Sequence, residues 1–165
     1  RMLVAAGIAR DVDDGKARMK HALESGAGLA KLKEMIAAQG GDAGVCDDVT
    51  RLPQAKHLVP VPAPHDGYVA DMDTTAIGYC AQDLGAGRKQ KTDVIDPAVG
   101  LVMNVRIGDF VKQGDALATL HLNKPEQAES AIARMQQAVK LTADKPAIPS
   151  LVYASVSPEG VARGM

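Results

Sequence analysis

Aromatic side chains are scarce in this chain: 165 residues include one Phe, three Tyr and no Trp. A protein that stacks nucleobases on aromatic platforms needs more rings than this. Its core must therefore be built from Leu, Val, Ile, Met and Ala. Neither sign of charge dominates, because 19 Lys and Arg face 20 Asp and Glu, for a net charge of −1. The basic surface of a nucleic-acid binder is not implied. No apolar run is long enough to span a bilayer, and no signal-peptide pattern opens the sequence. Nucleic-acid and membrane partners are not expected, and the expected compartment is the cytoplasm. Cysteine is rare too. Cys46 and Cys80 lie far apart in sequence and are expected to be free thiols in a reducing environment.

Catalytic signatures are also missing. The four histidines, His21, His57, His65 and His121, are scattered and stand in no metal-ligand spacing. There is no H-E-x-x-H and no G-x-S-x-G. No metal and no cofactor are expected. Asp47-Asp48 lies in a polar stretch that suits solvated or capping carboxylates. Asp71 and Asp73 flank Met72 at a strand end, where capping of the following helix outweighs cation binding.

What is present begins with Arg1 followed by apolar MLVAAGIA, a start that suggests a chain cut from a longer one. Asp11 or Asp13 can cap a helix running to about Ser25, with Ala17, Ala22 and Leu23 inward and Gly26 closing it. A second helix is expected from about Leu29 to Gln39, with Leu29, Leu32 and Ile36 on one stripe and Gly40-Gly41 at its end. Residues 42–57 are polar and irregular, as in a linker. Prolines 60, 62 and 64 in LVPVPAP allow an extended strand only at a sheet edge.

Beyond that edge, His65-Asp66-Gly67 makes a turn, GYVADM a strand, and Thr74 or Thr75 caps a helix over roughly 75–84. Residues 99–122 alternate as strands around two turns, Ile107-Gly108-Asp109 and Gln113-Gly114-Asp115. Pro125 suits the first turn of a last helix reaching about Leu141, with Ala128, Ala131, Ile132, Met135 and Val139 on its apolar face. LVYASVS is a final strand, and the tail from 158 to 165 is expected to fray.

The stretch DLGAGRKQK, Asp83–Lys91, poses the main functional question. Two glycines and a basic cluster could cradle a phosphate. Gly85, however, falls where a helix ends. A helix C-terminus carries partial negative charge, whereas anion sites sit at N-termini. The run is also not G-x-x-x-x-G-K-[ST]. Phosphate binding here is not expected, and the following cations suit the C-terminus instead. The pattern I-G-D-x-V-x-x-G-D-x-L recurs in biotin- and lipoate-carrier domains. Those carry a modified lysine beside methionine in a hairpin turn, but Asn104 follows Met103 here.

Taken in order, MLVAAGIA, KLKEMIAAQGGD, LPQA, DGYVADMDTTAIG, LGAGRKQKTDVIDPAVG, IGDFVKQGDALA and LTADKPAIPSLVYASVSPE resemble the C-terminal part of the bacterial thymidine phosphorylases, in the pyrimidine nucleoside phosphorylase family. MDTTAIG and the VYASVS tail resemble the thymidine-specific branch. The resemblance implies a parent enzyme that converts thymidine and phosphate to thymine and 2-deoxyribose 1-phosphate. In such an enzyme the cleft between a helical and an α/β domain holds the active site, and phosphate is a co-substrate. The family's catalytic and substrate-binding motifs lie upstream of the matched part, so none is carried onto this chain, which is expected to be inactive alone. The implied partners are the remaining domains of a homodimeric parent.

The expected fold is α+β. A hammerhead-like C-terminal domain of mixed strands and two helices spans 58–157, and a linker spans 42–57. A helical segment over 1–41 belongs to the end of the parent α/β domain, and its apolar stripes are expected to associate or to be partly disordered when cut from that sheet. Asp83, Gly85, Gly87 and Arg88 form a candidate domain-interface loop, with the glycines permitting backbone swings. Two other readings compete: a stand-alone carrier or binding module of the biotinyl or lipoyl type, and the C-terminal domain of an AMP phosphorylase relative.

Overall fold

The computed structural model describes residues 1–158 and 160–163. The chain divides into two units, Arg1–Pro53 and the part from Gln54 onward.

The first unit is helical: α1 (Met2–Ala5), α2 (Val12–Glu24) and α3 (Ala27–Ala38), then two 3-10 turns at Ala43–Cys46 and Val49–Arg51. The Asp11 side chain caps α2 by accepting from the N–H of Asp14 at 2.8 Å. Gly40 closes α3 in the left-handed region, at φ 77°. Little is buried in this unit. Ala9 and Gly15 are its only buried residues among those described. The expectation that Ala17, Ala22 and Leu23 face inward fails, since Ala17 and Leu23 are exposed and Ala22 is half-buried. Cover is closest at the first turn of α2, where a Cβ on Gly15 would lie 3.6 Å from that of Ala9. Leu29 and Leu32 are likewise exposed, and Ile36 is half-buried.

The second unit is α+β, with the order β1 (His57–Pro62), β2 (Gly67–Met72), α4 (Thr74–Ala81), β3 (Gly100–Met103), β4 (Phe110–Val111), β5 (Ala116–Leu122), α5 (Ala128–Ala138), β6 (Val139–Thr142), β7 (Ala154–Ser157) and β8 (Gly160–Arg163). Two three-stranded antiparallel sheets, β1-β5-β3 and β4-β2-β6, share one core, and β7 and β8 pair as a hairpin. The strand with Pro60 and Pro62 is indeed an edge, where a missing N–H costs no ladder bond. In the central strand β5, Ala118, Leu120 and Leu122 alternate with Thr119 and His121 and are fully excluded from water. Val59 and Leu101 flank Leu120 in register. Met135 on α5 is fully buried in the same cluster. In the other sheet Tyr68 and Phe110 are opposite each other and pack edge to face, with ring centroids 5.0 Å apart.

The two I/Q-G-D turns repeat one hydrogen-bond design. At the first, the Asp109 carboxylate accepts from the N–H of Arg106 at 2.7 Å; at the second, that of Asp115 accepts from the N–H of Lys112 at 2.9 Å. Gly108 donates to the carbonyl of Val69 while Val69 donates to that of Asp109. Gly114 and Asp115 make the same exchange with Ala63. Both glycines stand at positive φ, 96° and 90°, which other residues rarely adopt.

Two sequence expectations need correction, and one is decided between its alternatives. Among the capping candidates for α4, Asp73 serves, as expected for a carboxylate at that strand end, and Thr74 and Thr75 do not: the Asp73 carboxylate accepts from the N–H of Ala76 at 2.9 Å. The last helix stops at Ala138, and Val139 turns into β6 to pair with Met72. β-branched Val139 belongs to the apolar set of either element, so periodicity alone could not mark the break. The expected fraying fails for Gly160–Arg163, which pair with Ala154–Ser157; the rest of that tail, except Pro158, lies outside the described residues. Among the described residues no helix is long and apolar enough to cross a membrane.

Leu120 lies at the centre of this core. Leu120→Ala is expected to lower unfolding stability by about 2–5 kcal/mol, read as a reduced urea midpoint with an unchanged m-value. A cost below about 1 kcal/mol would mean that β5 is not the centre of the core.

Candidate functional site

The chain continues from α4 through a single π-helical turn, Gln82–Ala86. Gly85, at φ 110°, ends it, so the glycine falls at a helix C-terminus as its place in the sequence suggests. Gly87 has a different role. Its backbone is extended (φ −148°), and a Cβ there would come within 3.2 Å of Gln82 Cγ. Space, rather than backbone conformation, favours glycine at 87, since a Cβ there would push the Gln82 side chain aside by a few tenths of an ångström. The glycine pair thus combines one left-handed turn with one close approach.

Asp83 is half-buried and joins three segments. Its carboxylate takes Lys89 Nζ at 2.5 Å on one oxygen and Arg134 of α5 on the other. Its main-chain carbonyl accepts from Gln127 Nε2 at 3.0 Å. The hydrogen bond from Lys89 holds the Asp83 carboxyl below the usual carboxylate range; Arg134 adds to the shift, and partial burial opposes it. Sequence reasoning expected the cations after Gly85 to answer the helix terminus. Lys89 answers the Asp83 side chain instead, while the guanidinium of Arg88 has no partner among the described residues. The Arg88 carbonyl accepts from Gln82 Nε2 at 2.5 Å.

The far end of the loop is fixed separately. Asp96 donates its N–H to the Gly85 carbonyl at 3.0 Å. Its carboxylate accepts from the N–H of Ala98 at 3.0 Å and from Asn123 Nδ2 at 2.7 Å, and these bonds, in that order, lower its pKa. Asn123 Oδ1 also accepts from the N–H of Lys56. Arg134, Asn123 and Gln127 are missed by sequence reasoning. Arg134 lies 51 residues from Asp83, and no local pattern connects the two.

Beside this cluster is a cleft of about 70 Å³, lined by Cys80, Asp83, Leu84, Gln127, Ser130 and Arg134. Ligand sites for drug-sized molecules run to roughly 300 Å³ and more; this cleft is well below that, and a wider, open depression of about 360 Å³ adjoins it, lined by Ala76, Tyr79, Asp83 and Arg134. Burial pushes the Cys80 thiol up, which disfavours the nucleophilic thiolate. Cys46 and Cys80 are both free. No group of three His, Cys, Asp or Glu residues comes together to hold a metal among the described residues. At the position a carrier domain would need for its lysine, Asn104 Nδ2 donates across the sheet to Thr119 Oγ1 at 3.1 Å.

Residues 68–142 match the model of the pyrimidine nucleoside phosphorylase C-terminal domain. The chain is 37% identical over 156 residues to the pyrimidine-nucleoside phosphorylase of Geobacillus stearothermophilus, covering 94% of this chain and 36% of the relative. It is 35% identical over 157 residues to that of Bacillus subtilis (strain 168), covering 95% of this chain and 36% of the relative. It is 37% identical over 153 residues to that of Staphylococcus aureus (strain N315), covering 93% and 35%. The chain thus spans little more than a third of the length of these curated relatives.

The lowered pKa of Asp83 sets a sign for its pH dependence. The folded state binds this proton less readily than the unfolded chain, so the stabilisation is complete at neutral pH and is lost as pH falls through the lowered value. The cluster is solvent-accessible, so its worth is at most about 1 kcal/mol. Wild type is expected to exceed Asp83→Asn by that margin at pH 7, with the gap closing below about pH 4, in urea titrations at both pH values. A gap of equal size in acid would assign the loss to packing.

Proposed function

With residues 68–142 matching the pyrimidine nucleoside phosphorylase C-terminal domain, we propose that the chain is the C-terminal domain of a phosphorylase acting on thymidine. The reaction joins a phosphate oxygen to C1′ of the sugar as the glycosidic bond to the base breaks. Its products are 2-deoxyribose 1-phosphate and thymine, and phosphate is the co-substrate. The match over residues 68–142 carries this reading. The preference for thymidine over other pyrimidine nucleosides rests on the resemblance of MDTTAIG, residues 72–78, and of VYASVS, residues 152–157, to the thymidine-specific branch.

The chain's own role in this reading is structural. Its carboxylates are held as acceptors by neighbouring N–H groups and cations, and its buried thiol is protonated. The chemistry belongs to helical and α/β domains of a homodimeric parent, and the chain alone turns over no substrate. The Asp83–Arg88 loop supports the parent's closed state. Support for that role comes from a half-buried carboxylate that fixes the loop base while the Arg88 guanidinium has no partner among the described residues.

Phosphate-dependent release of thymine from thymidine is the first assay. This chain alone, at high concentration, is expected to give none. A full-length enzyme carrying this domain is expected to release thymine faster than it releases uracil from uridine. Turnover by the isolated chain that survives a contamination control would overturn the structural role. In the full-length enzyme Arg88→Ala is expected to raise KM for the nucleoside several-fold. Unchanged kcat and KM would remove the loop from domain closure.

A further inference from the structure

The segment 88–95 buries no side chain: all of its residues are exposed except Asp93, which is half-buried, and Val94 is 91% exposed. Of its two apolar side chains Val94 is open to water and only Ile95, beside Asp96 at the far end, is partly covered, at 44% exposure. Its order comes from polar bonds of two kinds. Within the segment, the Asp93 carboxylate accepts from the N–H groups of both Lys89 and Gln90 at 2.9 Å, and Asp93 donates its own N–H to the Gln90 carbonyl. Between the segment and the body, the described hydrogen bonds and ion pairs are two: Lys89 to Asp83, and Gln82 Nε2 to the Arg88 carbonyl.

The two cations on Asp83 are therefore not equivalent. Arg134 belongs to α5, which packs against α4 in the body of the domain. Lys89 belongs to the segment. If Lys89 leaves, its ammonium returns to water from an already exposed position, and Asp83 keeps Arg134 as counter-ion. No bare carboxylate remains, which is the usual cost of breaking a half-buried pair.

We propose that residues 88–95 are a releasable strap, latched by Lys89 to one oxygen of Asp83, while Arg134 on the other oxygen is the permanent anchor. The strap swings as a preformed piece because Asp93 keeps its internal bonds. Its ends are Gly87 on one side, and on the other Asp96, pinned by the Gly85 carbonyl and Asn123. The device is a property of this chain and does not depend on the enzymatic reading.

Limited trypsin digestion of the whole chain, with fragments mapped by mass spectrometry, tests it. Arg88, Lys89 and Lys91 are cleavage sites inside the strap, and Lys56 and other exposed basic residues outside it are internal references. Asp83→Asn and Arg134→Met both keep every strap site. Cleavage in the strap tracks the population of the open form. Asp83→Asn is expected to speed it about five-fold or more, and Lys89→Met to speed cutting at Arg88 and Lys91 equally. Arg134→Met is expected to stay within about two-fold of wild type, since Lys89 remains latched. Wild-type rates in Lys89→Met would overturn the latch. Equal acceleration in Arg134→Met and Asp83→Asn would overturn the division into anchor and latch, leaving one undivided cluster. Reference sites cut at unchanged rates keep the comparison free of global unfolding.

Discussion

Strand β5 is paired on both sides, and its core face, Ala118, Leu120 and Leu122, is closed to water. A strand in that position cannot slip by one residue, because the slip would turn Thr119 and His121 into the core and the leucines out. Once β5 is fixed, its neighbours have little freedom. β1 lies beside it as an edge that tolerates Pro60 and Pro62, and β3 brings Leu101 into line with Leu120. The ends of β5 matter as much as its middle. Asp115 begins it inside a hydrogen-bonded turn, and Asn123 follows it, tying the Lys56 amide to the Asp96 carboxylate. The base of the 83–96 loop is thereby held by the most constrained strand in the unit.

The second theme is what the carboxylates do. Asp11, Asp73, Asp93, Asp96, Asp109 and Asp115 each accept from a backbone N–H within four residues. Asp42 and Asp48 do the same in the first unit. Such bonds favour the ionised form, and every aspartate with a resolved shift has its pKa lowered. A general acid needs the opposite shift. These eight aspartates thus serve turns and caps, while Asp13, Glu24, Glu34, Asp47, Asp71 and Asp83 pair with Lys or Arg side chains.

Much of the second unit was legible in the sequence for the same reason. Turns built from an aspartate and a glycine at fixed offsets are local, and so are the alternation of β5 and the proline rule that makes β1 an edge. The α+β class and the place of Gly85 followed from them. What was not legible is long-range or degenerate. Val139 satisfies both the helical stripe and the strand, and pairing with Met72 decides. Capping of α4 by a carboxylate at the end of β2 was legible, but the choice of Asp73 over Asp71, Thr74 and Thr75 was not. In α2, Leu23 has apolar spacing but no cover, since periodicity states a preference for burial and not its supply. Asp83 was singled out for its place near the glycines. Its partner Arg134 could not be found from sequence, because α5 had first to be packed against α4.

The same contrast explains why the loop is ordered at all. Fixing a residue's backbone costs about 1–2 kcal/mol, and segment 88–95 recovers little of that through apolar burial, since Val94 is exposed and only Ile95 is partly covered. It relies on the paired acceptor Asp93 and on two polar tethers, each worth about 1 kcal/mol in water. Order maintained by so narrow a margin is conditional. It is sensitive to ionic strength, to the charge at Lys89 and to any surface that meets Arg88. The core around β5 has none of that sensitivity, because its stability rests on buried area. A rigid strand carrying a conditionally ordered loop at its end can present that loop in two states without disturbing the fold.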